Sequence, residues 1–218
     1  MDTIARVGLI AFILYLPVFL MLLFLAVKRY KEYSFTSLWM SNLGDTRHQS
    51  SFLFNSGFLL YGLLSLFFVN GLSRILPNML IPTVAILFLY ICSFSTIVAS
   101  LIPMNKNLNV HHKFSNMVFM SITAFSALLI YPISVSNIIS RYFLVLNVIL
   151  IVLSVVLSVS FARLVKKTGK IPISLFEIRK TEKCFIVRNA AVQEWIFFLV
   201  VIVWNFVMSL IILQNLHI

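Results

Sequence analysis

Acidic residues are scarce in this chain, which holds only six of them against 17 lysines and arginines in 218 residues. Charged residues of both signs make up 11% of the sequence and apolar residues 61%, whereas a typical soluble domain carries about 25% charged residues. So few charges cannot cover the surface of a water-soluble protein of this size. The composition therefore excludes an ordinary soluble domain and indicates a protein that lies almost entirely in a membrane.

Cysteine is also rare, and the two cysteines present are badly placed for a disulfide. Cys92 lies inside a long apolar run, while Cys184 lies in a basic connecting segment. Two cysteines in such different surroundings are not expected to reach the short separation that a disulfide requires. Both are predicted to be free thiols.

The apolar runs contain almost no ionisable side chain, and this absence excludes several classes of membrane protein. A retinal-binding protein needs a lysine in mid-membrane, yet every lysine lies outside the runs. Ion pumps usually carry buried carboxylates at depth, and the runs show none there. A bis-histidine haem needs two imidazoles inside the bilayer, but all four histidines lie at the ends of runs: His48, His111, His112 and His217. No cofactor is expected.

Six long apolar runs are what the chain does have. A hydrocarbon core of ~30 Å needs about 20 apolar residues per helical span, and the runs cover about 7–27, 53–72, 78–102, 115–136, 142–162 and 190–215. The connections are too short to hold a soluble domain. We therefore predict an all-α fold, a single domain over residues 1–218 that forms a polytopic membrane bundle of six transmembrane helices.

The basic residues predict the orientation of this bundle. Three of the 17 lie on one side, in the N-terminal tail and the second and fourth loops, and fourteen lie in the first, third and fifth loops. By the positive-inside rule the loops at 28–52, 103–114 and 163–189 are cytoplasmic, and both termini lie on the extracytoplasmic side of a cell membrane.

Two of the predicted cytoplasmic loops are longer than simple turns. Residues 34–44 carry Phe35, Leu38 and Trp39 among serines and threonines, which is typical of a short helix in the headgroup zone, where tryptophan is enriched. Residues 166–188 mix charges with apolar residues in a pattern that suits either a small hairpin or an interfacial helix.

Polar residues collect at the predicted cytoplasmic ends of the second, fourth and sixth spans. The sharpest of them is Glu194, because an unpaired carboxylate inside a span costs about 2.5–3.5 kcal/mol at full depth and less near the interface. A partner such as His112, Arg47 or Arg188 would lower that cost. The candidate site consists of Asp45, Arg47, His48, Asn55, His111, His112, Asn116, Gln193 and Glu194.

Each of these residues also has a purely structural interpretation. A glutamate in the first turn of a helix is favoured by the helix dipole, and Asp45 after Gly44 suits a turn. The two adjacent histidines fit an interfacial position equally well. No spacing among the histidines and carboxylates matches a zinc signature, so no metal site is predicted.

Several residues at these positions resemble a known family. Ser41, Leu43 and Gly44, with Phe54 and Asn55 entering a span and Gly57 and Gly62 after them, resemble the S-x-L-G and F-N signature of the six-span membrane family called domain of unknown function 998. Pro103, His112, Phe119 and Phe125 are similar to that family's pattern of a proline that closes span three and a histidine that opens span four. The family often has an acidic residue after this proline, where Met104 stands here. The resemblance implies a six-span fold and lipid-related work, without implying catalysis.

Two functions of different classes follow. The first is a site on the cytoplasmic face that binds a lipid headgroup or a related anionic amphiphile, because three helix N-termini and nearby basic residues favour anions. If chemistry occurs there, His112 with Glu194 or Asp45 would be the general acid/base pair, and Arg47 would hold the anion.

The second hypothesis is a non-catalytic subunit of a larger membrane complex. Its support is the 21 phenylalanines, the lack of GxxxG packing motifs and the lack of a catalytic signature. Transport is the least favoured alternative, because the spans hold few polar residues at mid-depth. Nucleic acid is not an expected partner.

Overall fold

Helices make up the regular structure in the part of the chain that the computed structural model describes, residues 2–36, 38–135, 139, 141, 143–168 and 184–215. Six of them are long and apolar enough to cross a membrane, which confirms the prediction of an all-helical, six-span fold. Their bounds are α1 Asp2–Arg29, α2 Ser51–Ile75, α3 Leu80–Leu101, α4 Leu108–Val135, α5 Phe143–Thr168 and α6 Cys184–Asn215.

Each helix packs against the next one along the chain, and α6 returns to α1 and α2, which closes the bundle. Helices that follow each other through short connections run in opposite directions. The end of α1, the start of α2, the end of α3, the start of α4, the end of α5 and the start of α6 therefore meet at one end of the bundle. We call this the Glu194 end.

Phenylalanine fills much of the interior. Phe12, Phe19, Phe68, Phe125 and Phe197 are all less than 2% exposed. In a bilayer the lipid tails are as apolar as the helix surfaces, so the helices associate mainly through packing. Large flat rings that contact one another across helices provide that packing.

One close helix approach depends on a small residue, although the sequence contains no GxxxG motif. A Cβ atom at Gly62 of α2 would lie 2.8 Å from Ile97 Cγ1 and 3.2 Å from the backbone oxygen of Ser93, both on α3. Only a residue without a side chain allows α2 and α3 to lie this close. The middle of α2 and the middle of α3 are therefore in direct contact next to the core of the bundle.

The fourth helix begins earlier than predicted. It starts at Leu108 and not near 115, because the side chain of Asn107 accepts a 3.1 Å hydrogen bond from the backbone N–H of Val110 and so caps the helix. This earlier start places His111 and His112 in the first turns of α4. They are helical residues that face the bundle, and both are buried.

The first loop differs from the predicted interfacial helix at residues 34–44. It forms a short 3-10 helix, Met40–Gly44, within a stretch that is mostly buried: Leu38, Trp39, Met40, Asn42, Leu43, Gly44 and Asp45. Trp39 therefore packs inside the protein and not among headgroups, against Ala190 and Ala191 of α6. The prediction was wrong because these two alanines leave room for an indole ring, and they lie far away in the sequence. We call residues 38–45 the inserted segment.

Two other expectations concern partly described regions. Cys92 is a free thiol, while the side chain of Cys184 lies outside the described part. Residues 169–183 also lie outside it, and with them most of the stretch for which a hairpin and an interfacial helix were both open.

Candidate functional site

Glu194 connects the inserted segment to α6. Its Oε2 atom accepts a 2.7 Å hydrogen bond from the backbone N–H of Met40. The 3-10 helix starts at Met40, so this N–H has no partner within its own helix. The carboxylate therefore supplies an acceptor that the loop needs, and the loop in turn holds the carboxylate in place.

Aromatic residues surround this connection. The indole N–H of Trp195 donates a 2.8 Å hydrogen bond to the hydroxyl oxygen of Tyr33, and the ring of Phe35 lies 5.1 Å from that of Trp195. Burial raises the pKa of Tyr33, and the nearby charge of Glu194 raises it further, so the phenol stays neutral. These contacts fix the first loop against α6.

A cavity of about 350 Å³ lies between α4, α5, α6 and the inserted segment. We call it the outer cavity. Phe119, Met120, Leu157 and Phe161 give it an apolar side, and Met120 is 70% exposed on the outer face of the bundle. Its polar side is formed by Trp39, Ser41, His112, Ser115, Asn116, Ser158 and Glu194. The cavity is therefore amphipathic and lies next to the lipid-facing surface.

A second cavity, of about 130 Å³, lies in the core of the bundle. We call it the inner cavity. Along α6 its wall runs from Glu194 to Asn205, about 16 Å of helix at ~1.5 Å per residue. Most of the wall is aromatic or aliphatic, with hydroxyl groups from α2, α3 and α4. The two cavities share four wall residues: Ser41, Ser115, Phe119 and Glu194. Glu194 thus lies where they meet.

His111 closes the end of α3. Its Nδ1 lies 2.8 Å from the carbonyl oxygen of Ile102 and 3.1 Å from that of Ala99. Carbonyl oxygens only accept, so Nδ1 carries the proton and donates to the last turn of α3. His111 has a structural role as a C-terminal cap, and its ring also forms part of the inner cavity wall.

Two polar atoms of the outer cavity wall have no partner among the described residues. They are Nε2 of His112 and Nε1 of Trp39, and their residues are 9% and 5% exposed. A buried polar atom without a partner costs about 1–3 kcal/mol. Both residues line the outer cavity, so a molecule bound in that cavity would be able to provide the missing hydrogen bonds.

Asp45 and Arg47 bind each other instead of lining a cavity. The Nε atom of Arg47 lies 3.0 and 3.1 Å from the two carboxylate oxygens of Asp45, and the backbone N–H of Arg47 lies 2.9 Å from Oδ1. Burial alone would raise the pKa of Asp45, but the hydrogen bonds from Arg47, with its charge and that of His48, outweigh burial and lower the pKa. The Arg47 side chain is 69% exposed.

Asn55 supports the inserted segment. Its Nδ2 donates a 2.9 Å hydrogen bond to the carbonyl oxygen of Gly44, and the hydroxyl of Ser50 donates at 2.8 Å to that of Leu43. A Cβ atom at Gly44 would lie 2.5 Å from Asn55 Oδ1. Four of the residues that carried the family resemblance, Leu43, Gly44, Phe54 and Asn55, therefore lie together where the loop turns into α2.

The three remaining candidates differ in position. The ring of His48 stacks on that of Tyr30 at 3.8 Å, away from both cavities. Asn116 is exposed and lies in the outer cavity wall. Gln193 lines neither cavity, and its Oε1 atom is buried without a partner among the described residues.

Eight of the nine predicted site residues thus divide into two groups, and Gln193 belongs to neither. Glu194, His112 and Asn116 share the outer cavity, and His111 lies on the inner one; Asp45, Arg47, His48 and Asn55 hold the first loop together. Sequence reasoning missed Trp39, Ser41, Ser115 and Phe161 as wall residues, because serines and aromatic residues are common in spans and loops alike. Among the described residues, no three histidine, cysteine, aspartate or glutamate side chains meet as metal ligands.

The fold and the site define an integral membrane protein with six spans and an amphipathic cavity at one end of its bundle. A family model described as "Protein of unknown function (DUF998)" matches residues 13–211. The chain belongs to this family, which confirms the resemblance seen in the sequence. No curated protein and no solved structure matches the chain.

Proposed function

We propose that this protein binds a lipid-like amphiphile, with the polar head at Glu194, His112 and Trp39 and the apolar part along α4 and α5. The observation that carries the proposal is the outer cavity, which combines a partnerless donor and a partnerless ring nitrogen with an apolar wall. A ligand pocket is typically apolar with a few polar groups that orient the ligand. The outer cavity has this composition.

The polar wall supports binding of a head rather than of a second apolar chain. Trp39 Nε1 is a hydrogen-bond donor, His112 Nε2 is a donor or acceptor according to its protonation, and Glu194 is an acceptor. Ser41, Ser115 and Asn116 add three more polar side chains to the same wall. An apolar chain placed here would leave these groups unsatisfied.

The apolar wall supports entry from the bilayer. Met120 is 70% exposed, and Asn116 and Ser158, which also belong to the wall, are exposed as well. Exposed residues at span depth face lipid in a membrane bundle. An amphiphile would therefore reach the cavity sideways between α4 and α5, with its chain left in contact with the hydrocarbon.

The sequence adds the side of the membrane. Fourteen of the 17 basic residues lie in the sequence stretches 28–52, 103–114 and 163–189. These stretches connect the helix ends that meet at the Glu194 end, so we place this end at the cytoplasmic face. The ligand would then come from the cytoplasmic leaflet. Binding is the function proposed, and turnover is not required by any of these observations.

The proposal is tested by measuring lipids retained through gentle purification, with native mass spectrometry of the intact protein. Glu194→Gln keeps an acceptor for Met40 N–H but removes the charge, and His112→Ala removes the ring at the cavity wall. Both are expected to lower lipid retention several-fold while the protein stays folded. Ser115→Phe, which fills the space where the two cavities meet, is expected to do the same by steric exclusion.

Matched controls are Glu32→Gln and His48→Ala, since Glu32 is exposed and His48 lies away from both cavities. These variants are expected to retain lipid as the parent does. If Glu194→Gln, His112→Ala and Ser115→Phe each retain as much lipid as the parent, the proposed site is wrong. If the parent protein itself holds no lipid, the proposed function is wrong.

A further inference from the structure

We infer that the head of the bound amphiphile carries an amine, as a primary ammonium or a quaternary ammonium group. This inference rests on the proposed function and names the class of its ligand. It departs from the expectation of an anionic head, which came from counting basic residues along the sequence. Among the lysines and arginines whose side chains the structure describes, none lies in the wall of either cavity.

The cavity walls contain a carboxylate but no fixed positive charge. Among the described wall residues of both cavities, the carboxyl and imidazole side chains are Glu194, His111 and His112, and neither lysine nor arginine is present. Arg47 binds Asp45 and is directed to solvent. Lys113 is exposed and lies outside both walls. Arg47 and Lys113, two of the basic residues expected to hold an anion, are therefore not part of either cavity wall, and the side chain of Arg188 lies outside the described part of the chain.

The Glu194 carboxylate is only partly satisfied by the protein. It receives one described hydrogen bond, from Met40 N–H to Oε2, whereas a carboxylate offers about four acceptor sites. Burying a carboxylate without a counter-charge is unfavourable. A cationic head beside Glu194 would supply both the charge and, for a primary ammonium, up to three donors. An anionic head would instead be repelled by the ionised carboxylate.

The aromatic residues of the outer cavity also support an amine in the head of the ligand. Trp39, Phe119 and Phe161 line it, and the rings of Trp39 and Phe161 lie 6.1 Å apart with their planes at 65°. Aromatic faces attract ammonium groups, tryptophan most strongly. A carboxylate together with several rings is a combination that favours an amine over a phosphate monoester.

The test compares lipids that have identical acyl chains and different heads. Binding of phosphatidylethanolamine, phosphatidylcholine, phosphatidic acid, phosphatidylglycerol and dioleoylglycerol to the full-length protein in detergent is measured by native mass spectrometry at equal concentrations. The two amine lipids are expected to bind at least about tenfold more tightly than the other three. Glu194→Gln is expected to remove this preference while dioleoylglycerol binds as before, and Glu32→Gln is expected to keep it.

The outcomes separate the two proposals. If phosphatidic acid or phosphatidylglycerol binds as tightly as the amine lipids, or if dioleoylglycerol does, the inference about the head is wrong and the binding function stands. If Glu194→Gln keeps the preference for the two amine lipids, Glu194 does not recognise the amine and the inference is also wrong. If none of the five lipids binds, the proposed function fails together with the inference.

Discussion

The hydroxyl oxygens of Ser65 on α2 and Ser93 on α3 lie 2.7 Å apart. Each hydroxyl also lies within hydrogen-bond distance of a carbonyl oxygen on its own helix, that of Gly62 for Ser65 at 2.7 Å and that of Leu89 for Ser93 at 3.0 Å. The contact between Ser65 and Ser93 joins the two helices by a buried hydrogen bond. Such a bond needs the backbones of α2 and α3 to come very close. Gly62, one turn before Ser65, is what allows this.

Gly62→Ala is therefore expected to destabilise the protein by about 1–3 kcal/mol, because the new methyl group would overlap with Ile97 and force the helices apart. The measurement is thermal unfolding in detergent. Gly57→Ala on the same helix is the control, since a Cβ atom there would lie 3.4 Å from the ring of Phe19, an ordinary contact. Equal effects of the two substitutions would contradict the packing argument.

Replacing Glu194 by alanine is expected to cost about 1–3 kcal/mol of stability, because the N–H of Met40 would lose its acceptor. Glu194→Gln keeps an oxygen at this position and is expected to cost less. Thermal unfolding of both, beside the exposed-site control Glu32→Ala, makes the comparison. If the unfolding temperature of Glu194→Ala is not lower than that of Glu32→Ala, the hydrogen bond to Met40 does not stabilise the loop.

The neighbouring histidines are expected to behave differently. His111→Ala leaves the carbonyl oxygens of Ala99 and Ile102 without a donor and is expected to lower stability by about 1–3 kcal/mol. His112→Ala removes a ring whose Nε2 has no described partner, so it is expected to affect lipid retention more than stability. Thermal unfolding and lipid retention are measured on the same samples of both variants. If His112→Ala lowers stability and His111→Ala lowers only lipid retention, the assigned roles of the two histidines are wrong.

Stability is expected to fall in acid through the pair formed by Asp45 and Arg47. The folded protein lowers the pKa of Asp45 below the ordinary value of 3.8, so the unfolded chain binds the proton more readily. The contribution of the carboxylate is therefore complete above the ordinary pKa and is lost as pH falls through the folded one. Unfolding of the parent and of Asp45→Asn is compared from about pH 6 to about pH 3.

The parent is expected to be the more stable protein at the upper end of this pH range, and the difference in stability between the two proteins is expected to narrow toward the lower end. Glu32→Gln serves as the control and should follow the parent throughout. A constant gap between the parent and Asp45→Asn down to the lowest pH would show that the charge of Asp45 does not contribute.

Orientation is tested with single cysteines in sealed vesicles. Lys106 and Asn78 are both exposed and lie in loops at opposite ends of the bundle. In a background where Cys92 and Cys184 are replaced by serine, Lys106→Cys is expected to react only with reagents on the cytoplasmic side and Asn78→Cys only with reagents on the other side. The opposite labelling would invert the proposed topology.

Much of the fold follows from the sequence, because span length and hydropathy act locally. The six helices were predictable from runs of about 20 apolar residues, and the cap at Asn107 was visible as an asparagine before a helical stretch. It was missed because the polar residues after it, among them His111 and His112, suggested that the span begins later. The number of helices was therefore easier to predict than where α4 starts.

The site was less predictable, because it depends on contacts between distant parts of the chain. Glu194 was singled out as a carboxylate inside a span, but its described partner is a backbone N–H at Met40, and a backbone group leaves no mark in the sequence. Trp39 was assigned to the headgroup zone because tryptophan is enriched there. Its burial follows from Ala190 and Ala191, about 150 residues further along the chain.

The inserted segment has a practical consequence for tagging the protein. The first loop is the obvious place for an epitope or fluorescent domain, since surface loops usually tolerate extra residues. Here residues 38–45, the inserted segment, are mostly buried against the helices. An insertion there would separate Trp39 and Met40 from α6. Asn78 is exposed in the turn between α2 and α3, at the end of the bundle opposite to the Glu194 end. A reporter inserted there would leave the inserted segment unchanged.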